Sequence, residues 1–303
     1  MKPGELGVSL SATGTVVRVV HPQECPDIGP ICAVRAEPPQ QHDQQFYVGE
    51  LRPIFEYSLN THFGVELQLP FKVTHTTVQY RRPDGTIFVP DYENIHHRNE
   101  TLFGVGDPWL SARTAWVVGP VLIGGRVGLT LPVGKTEQDP FALGRAGLAH
   151  QHIQFGTGTF NPILGLEVRV PIGKYSLQAY GQAQVVLKES LQRFQAGNRY
   201  SAGLSGEGPI AGQFRASVGA DVVNEQPERW FGSVEQDGNL GRTDVLVGGS
   251  LSYLLGGFSV SLGAKVPVYQ AIITSGSHDG GQLTYPVIIN LGIRRAFDLS
   301  VAP

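Results

Sequence analysis

The 303 residues carry 23 Lys and Arg against 26 Asp and Glu, a net charge of −3 that leaves no basic footprint for a nucleic-acid partner. Charged residues make up 16%, below the ~25% of ordinary soluble domains, the 39 glycines are about twice the usual share, and 41% hydrophobic content excludes a disordered chain. No run of ~18 apolar residues offers a transmembrane helix, and the opening MKPGELGVSLSATG lacks the apolar core of a signal peptide, so either a cytosolic chain or a mature, processed one is expected.

Along the chain, apolar and polar residues alternate with period 2 in segment after segment, which is the mark of half-buried strands. About twelve strands are predicted, near 5–19, 45–59, 62–79, 107–119, 121–134, 159–171, 175–189, 199–207, 211–224, 244–255, 257–269 and 283–297. The third is the plainest, with Phe63, Val65, Leu67, Leu69, Phe71 and Val73 on one face and Glu66, Gln68, Lys72 and Thr74 on the other. Farther on, Leu177, Ala179 and Ala183 oppose Gln178, Tyr180 and Gln182, and Phe214, Ala216 and Val218 oppose Arg215 and Ser217. Tight turns near Asn60-Thr61, Gly119-Pro120, Ile172-Gly173-Lys174, Gly206–Gly208 and Gly256-Gly257 alternate with long connections near 20–44, 80–106, 135–158, 190–198, 225–243 and 270–282.

That alternation of loop length predicts an all-β chain forming one domain over 1–303: a closed antiparallel transmembrane β-barrel with short periplasmic turns and long extracellular loops. An even strand number returns both termini to the short-turn side. The wet face is too polar to fill a soluble core, so it lines a lumen while the oily face meets lipid, and closure satisfies every backbone group. Aromatics near strand ends, among them Tyr57, Phe63, Trp109, Trp116, Tyr175, Tyr253, Phe258 and Phe297, are placed as interfacial girdles would be.

The lumen carries the candidate chemistry. Mirroring residues about the 60–62 turn puts Glu56 opposite Glu66, and mirroring about Gly119-Pro120 puts Arg113 opposite Arg126. Like charges then face each other within hairpins and need compensation from the next hairpin. Chain order brings Glu66 beside Arg113, and Arg126 beside Glu167 and Arg169, so a charge ladder across strands three to six is expected. It either ties the wall together or, with Arg113 and Arg126 only partly neutralised by Glu66 and Glu167, gives the pore a positive field that selects solutes.

The remaining signals lead away from cofactors and catalysis. Cys25 and Cys32, in a Pro- and Gly-rich loop, are expected to pair as a disulfide in an oxidising compartment; with His21 they lack a fourth ligand for zinc. His96, His97, His150 and His152, with Asp91, Glu93 and Asp139, lie in two long loops at no enforced metal spacing, and solvated histidines are the commoner reading. Gly134-Lys135-Thr136 lacks the earlier glycine of a phosphate loop, since Leu129 stands there. His75 points outward, with Tyr47 and Leu110 as its predicted neighbours, and neither is a nucleophile; Ser111 points inward.

From Gly104 onward, Gly106-Asp107-Pro108 running into Leu110–Arg113, then Gly128–Lys135, then Gly156-Thr157-Gly158 with Asn161–Leu166, resemble the "MetA-pathway of phenol degradation" family of Gram-negative outer-membrane proteins, over about residues 104–207. Asn290–Phe297 resembles an outer-membrane assembly signal, departing from it at Arg295 and in the residues after Phe297. The resemblance implies a transporter of hydrophobic or aromatic small molecules. The reading that follows is a passive outer-membrane channel with membrane lipid and a small solute as partners and with no cofactor and no nucleic acid. A lumen-plugged barrel that is structural or binds through its loops is the second reading, and an outer-membrane enzyme the third.

Overall fold

In the computed structural model, which describes residues 2–22, 40–90, 94–95, 97–235, 238–272 and 284–299, twelve wall strands form one antiparallel sheet. They are β1 (Glu5–Pro22), β2 (Gln41–Ser58), β3 in two parts (Phe63–Gln68 and Phe71–Arg81), β4 in two parts (Glu100–Val105 and Trp109–Val118), β5 (Val121–Thr130) and β6 (Pro162–Ile172). The second half comprises β7 (Tyr175–Gln184), β8 (Arg199–Ala211), β9 (Phe214–Glu225), β10 (Arg242–Leu255), β11 (Phe258–Ile272) and β12 (Ile288–Asp298). Each strand pairs with its chain neighbours, and β1 pairs with both β2 and β12, so the sheet closes on itself. Glu5 faces Asp298 across the closing seam, which puts both chain ends on the short-turn side. Cys25, Cys32 and the loop that holds them lie outside the described residues.

The breaks in β3 and β4 have a local cause. Pro70 has no amide to give the ladder, so the strand parts there. Leu69 N–H still reaches the Pro53 carbonyl at 3.0 Å, and the Pro70 carbonyl accepts from Gly106 N–H at 2.8 Å. Facing alternation passes through the β3 break unchanged but slips by one residue through Gly106–Pro108: Phe103 and Leu110 are both on the outside, 69% and 46% exposed. Strand four therefore begins at Glu100 and not near 107, as expected from the alternation alone.

The turns follow turn chemistry. Asn60 Oδ1 accepts from the amides of His62 and Phe63 at 2.8 and 2.9 Å, closing the β2–β3 hairpin. Gly256 and Gly257 both take positive φ, 51° and 87°, which residues with a Cβ rarely adopt. The β8–β9 turn falls at Gly212-Gln213, after a bulge between Pro209 and Ala211, and not at Gly206–Gly208. Gly208 serves packing: a Cβ there would lie 2.1 Å from the Tyr175 ring, which covers it.

The outer wall is an apolar belt. Leu10, Leu51, Phe55, Leu110, Leu166, Leu177, Leu204, Val218, Leu251, Leu262 and Leu291 are all exposed on it, far more contiguous apolar surface than a soluble monomer tolerates. Tyr57, Phe63, Trp116, Tyr175, Phe214, Tyr253, Phe258 and Phe297 ring the turn end, and Tyr47, Phe103, Tyr200 and Tyr269 the loop end. Trp109 departs from this belt; it points inward, where the Arg52 guanidinium stacks on it at 5.2 Å. Leu67 lies between Phe55 and Leu110 on the outside. Leu67→Arg is expected to cost about 2–4 kcal/mol in reversible refolding into lipid vesicles, whereas Gln182→Ser, on the lumen side, stays within about 1 kcal/mol. Equal losses at the two positions would contradict the assignment of faces.

Candidate functional site

The lumen is built in three tiers from the turn side upward. In the lowest, the registers place Glu56 opposite Glu66 and Arg113 opposite Arg126. Glu66 is the centre: its side chain is 1% exposed, its Oε2 lies 2.9 Å from Arg126 Nη2 and 3.5 Å from Arg113 Nη1, and its Oε1 accepts from Gln68 at 2.7 Å. Glu56 pairs with Arg113 and, at 3.0 Å, with Arg294 of β12, so the ion-pair chain crosses the closing seam. Glu167 stands 3.9 Å from Arg113.

Two corrections to the expected ladder follow. Arg126 is met by Glu66 and by Gln182 at 3.3 Å, not by Glu167, because Glu167 sits over Gly124, one side-chain row nearer the turn. Arg169 lies outside the group, bonded to Gln178 at 2.9 Å and 4.0 Å from Glu207. With Glu56, Glu66 and Glu167 balancing Arg113, Arg126 and Arg294, the cluster carries no net positive charge. Glycines make room for it: a Cβ on Gly124 would lie 2.5 Å from Glu167 Oε1, and one on Gly7 3.2 Å from Glu56 Oε2.

The middle tier is a clasp. The connection from β5 to β6 turns inward, and the Phe155 ring lies on Gly104, where an added Cβ would come within 2.5 Å of it. Asp107, in the β4 break, holds this segment: one carboxylate oxygen accepts from Gly134 N–H at 3.0 Å, the other from Thr157 N–H and hydroxyl at 2.7 and 2.6 Å. Asn161, fully buried, donates to Thr157 Oγ1 at 2.7 Å and Thr130 Oγ1 at 3.0 Å. Gly134 and Gly156 meet backbone to backbone, a Cβ on either falling 2.6 Å from the other residue. The three stretches 106–108, 128–135 and 156–166 that carry the family resemblance thus converge at one place.

The top tier is a cap of loops. Phe141 from the short helix α1 (Pro140–Arg145), Phe194 and Trp230 form a buried aromatic cluster, the main apolar core among the described residues. Asp139 caps α1 by accepting from Phe141 N–H at 2.9 Å. Burial beneath this cap pushes the Glu228 carboxyl up to about 7. The histidines divide: His97 packs on His42 at 4.7 Å, while His150 lies 5.3 Å from His152, which packs on Phe141 at 4.9 Å. The two loops meet through His150 N–H and the Ile95 carbonyl at 3.2 Å. Among the described residues no group of three or more His, Cys, Asp or Glu is placed to hold a metal; His96, Asp91 and Glu93 lie outside them.

On the outer wall His75 faces Tyr47 as expected, but its other neighbour is Thr101, not Leu110, because β4 begins at Glu100 and the β3–β4 loop is shorter than the mirror arithmetic allowed. Their side chains meet at 2.8 Å (Nδ1 to Oγ1), with both residues exposed. Ser111 is buried and inward.

Closure, an apolar outer belt, two aromatic rims and a polar interior define a transmembrane β-barrel with a loop folded into its lumen. No family model matches the chain, and no curated protein matches it. Among solved structures, an outer-membrane channel of Pseudomonas putida F1 is similar over 98% of this chain and 97% of its own, with TM-score 0.62 at 14% identity, which establishes the shared fold. Looser likenesses are a FadL homologue of Pseudomonas aeruginosa (TM-score 0.42, 11% identity, 97% and 90% covered) and a deletion mutant of the monoaromatic hydrocarbon channel TodX (TM-score 0.45, 8% identity, 98% and 91% covered). Nothing further rests on these two.

Proposed function

We propose that the chain is a passive channel of the Gram-negative outer membrane for small molecules, its short turns in the periplasm and its long loops outside. The observation that supports this best is the inner wall of β8 to β12 and β1. Ser9, Ser11, Ser205, Ser217, Ser250, Ser252, Ser259, Ser261 and Asn290 point inward there, small hydroxyl and amide side chains beside the ion pairs Arg215–Glu207 and Lys265–Asp221, both at 2.6 Å. The opposite side is filled by the Glu56–Glu66–Arg113–Arg126 network. A path bounded by hydroxyls on one side and compensated charge on the other suits small solutes of little net charge. The family resemblance narrows these to hydrophobic or aromatic compounds. The outer-membrane channel that shares the fold adds support for the location and for a transport role.

The clasp favours a second reading, in which the inward-folded segment plugs the barrel and its function is structural or lies in loop binding. Purified protein in planar bilayers distinguishes the two. Discrete conductance steps with weak ion selectivity, read from reversal potentials in a salt gradient, are expected of the channel. A barrel that inserts, as shown by protease protection in vesicles, yet never conducts is the plug.

A further inference from the structure

Lys72 is the lumen cation whose natural partner is spoken for. It stands in β3 directly opposite Glu50 of β2, the cross-strand position at which an ion pair is ordinarily made. Glu50 instead turns to Arg52, whose Nε and Nη2 reach its Oε1 at 2.8 and 2.6 Å. The Lys72 chain runs along Pro70 and Gly106, and a Cβ on Gly106 would lie 3.1 Å from Lys72 Cε and from Pro70 Cγ. Its ammonium donates to the Phe155 carbonyl at 3.1 Å, leaving further N–H donors at the inner face of the clasped segment. Asp107, the nearby carboxylate on β4, is occupied by Gly134 and Thr157. Across the lumen, Arg199 of β8 pairs with its own carboxylate, Glu225, at 3.2 Å.

An ammonium held among a proline ring, a glycine and a phenylalanine backbone, with its cross-strand carboxylate engaged elsewhere and donors to spare, is short of an acceptor. A carboxylate supplies what it lacks, and the Phe155 ring beside Gly104 offers an apolar surface next to it. We infer that Lys72 is a solute-binding residue at the narrowing made by the clasped segment, taking the carboxylate of a small organic acid with an apolar body. The inference rests on the channel reading for its role in transport but not for the binding itself. Lys72 acts as a local recognition site above an ion-pair cluster that carries no net positive charge, so it selects by contact and not by a long-range field.

Benzoate and its uncharged isostere benzamide are the probes. In detergent solution, ligand-observed NMR titration of the full chain should show benzoate binding that weakens at least tenfold in Lys72→Met and is retained in Lys72→Arg, which keeps the charge; benzamide should bind weakly to all three. In bilayers, benzoate should reduce wild-type current in a concentration-dependent manner and leave Lys72→Met current unchanged. Benzoate binding that is the same in wild type and Lys72→Met, or benzamide binding equal to benzoate, overturns the site. A wild-type barrel that binds benzoate through Lys72 but never conducts upholds the site and sinks the channel reading. Conductance in a barrel indifferent to benzoate does the reverse. Melting curves by circular dichroism show whether Lys72→Met is folded, and Lys72→Arg keeps the comparison decisive if it is not.

Discussion

Glu66→Ala is expected to destabilise the barrel by about 3–5 kcal/mol, because it removes the nearly dry carboxylate that Arg113 and Arg126 share. Glu66 has a side-chain exposure of 1%, against 24% for both Arg113 and Arg126. Arg113 keeps Glu56 after the change and has Glu167 at 3.9 Å, but Arg126 is left with only the Gln182 oxygen at 3.3 Å, and Gln68 loses its acceptor. The cost is therefore mainly that of a half-buried guanidinium without a counter-charge, which well exceeds the worth of the pair itself. A second variant separates these terms. Combining Glu66→Leu with Arg126→Met removes both charges and roughly keeps the volume, and it should recover most of the lost stability. Urea-induced unfolding from vesicles measures both variants. A loss below about 1 kcal/mol for Glu66→Ala would mean that lumen water, and not Glu66, solvates Arg126.

The strands and the facing pairs inside this ion-pair network were legible in the sequence for the same reason. Period-2 alternation fixes which residues face inward, and a turn of known position fixes which of them are opposite one another. Glu56 with Glu66 and Arg113 with Arg126 follow from those two facts alone. The reasoning weakened wherever a strand broke its own rule. The Gly106–Pro108 break hides a one-residue slip and the strand segment before it, so β4 was expected to start too late, its loop to be too long, and Leu110 was placed where Thr101 stands. Gly206–Gly208 reads as a turn because glycine has two uses, and a sequence does not distinguish a positive φ from a space left for Tyr175. The link of Arg294 to Glu56 depends on closure between the first and last strands, a contact of very long sequence separation that turn arithmetic does not reach. The aromatic cap and the clasp came from loops, where no periodicity constrains a side chain. The glycines at 106, 134 and 156 stand in the stretches that carry the resemblance, and their meaning is a backbone contact that only the folded chain makes.

Asp107→Ala is expected to free the segment between β5 and β6 from the lumen. Asp107 supplies acceptors to two backbone amides and a hydroxyl, and no other carboxylate bonds to any of them among the described residues. An amide left unsatisfied away from water costs about 1–3 kcal/mol, so losing both amide contacts is worth roughly 2–6 kcal/mol of local stability. That is enough to make the inward position the less populated one. The barrel ladder does not pass through these bonds, so the effect is expected to be confined to the segment. Hydrogen exchange should then quicken at Gly134 and Thr157 by two orders of magnitude or more, while amides of β9 and β10 keep their protection. If the segment narrows the path, single-channel conductance rises severalfold in the same variant, and Asp107→Asn, which retains one acceptor oxygen, falls between. Faster exchange with unchanged conductance would mean that solutes pass along the serine-lined wall without meeting the segment, and the narrowing at Lys72 would then lie off the path. Unchanged exchange would mean that the backbone contact of Gly134 with Gly156 and the Asn161 bonds to Thr130 and Thr157 hold the segment without Asp107.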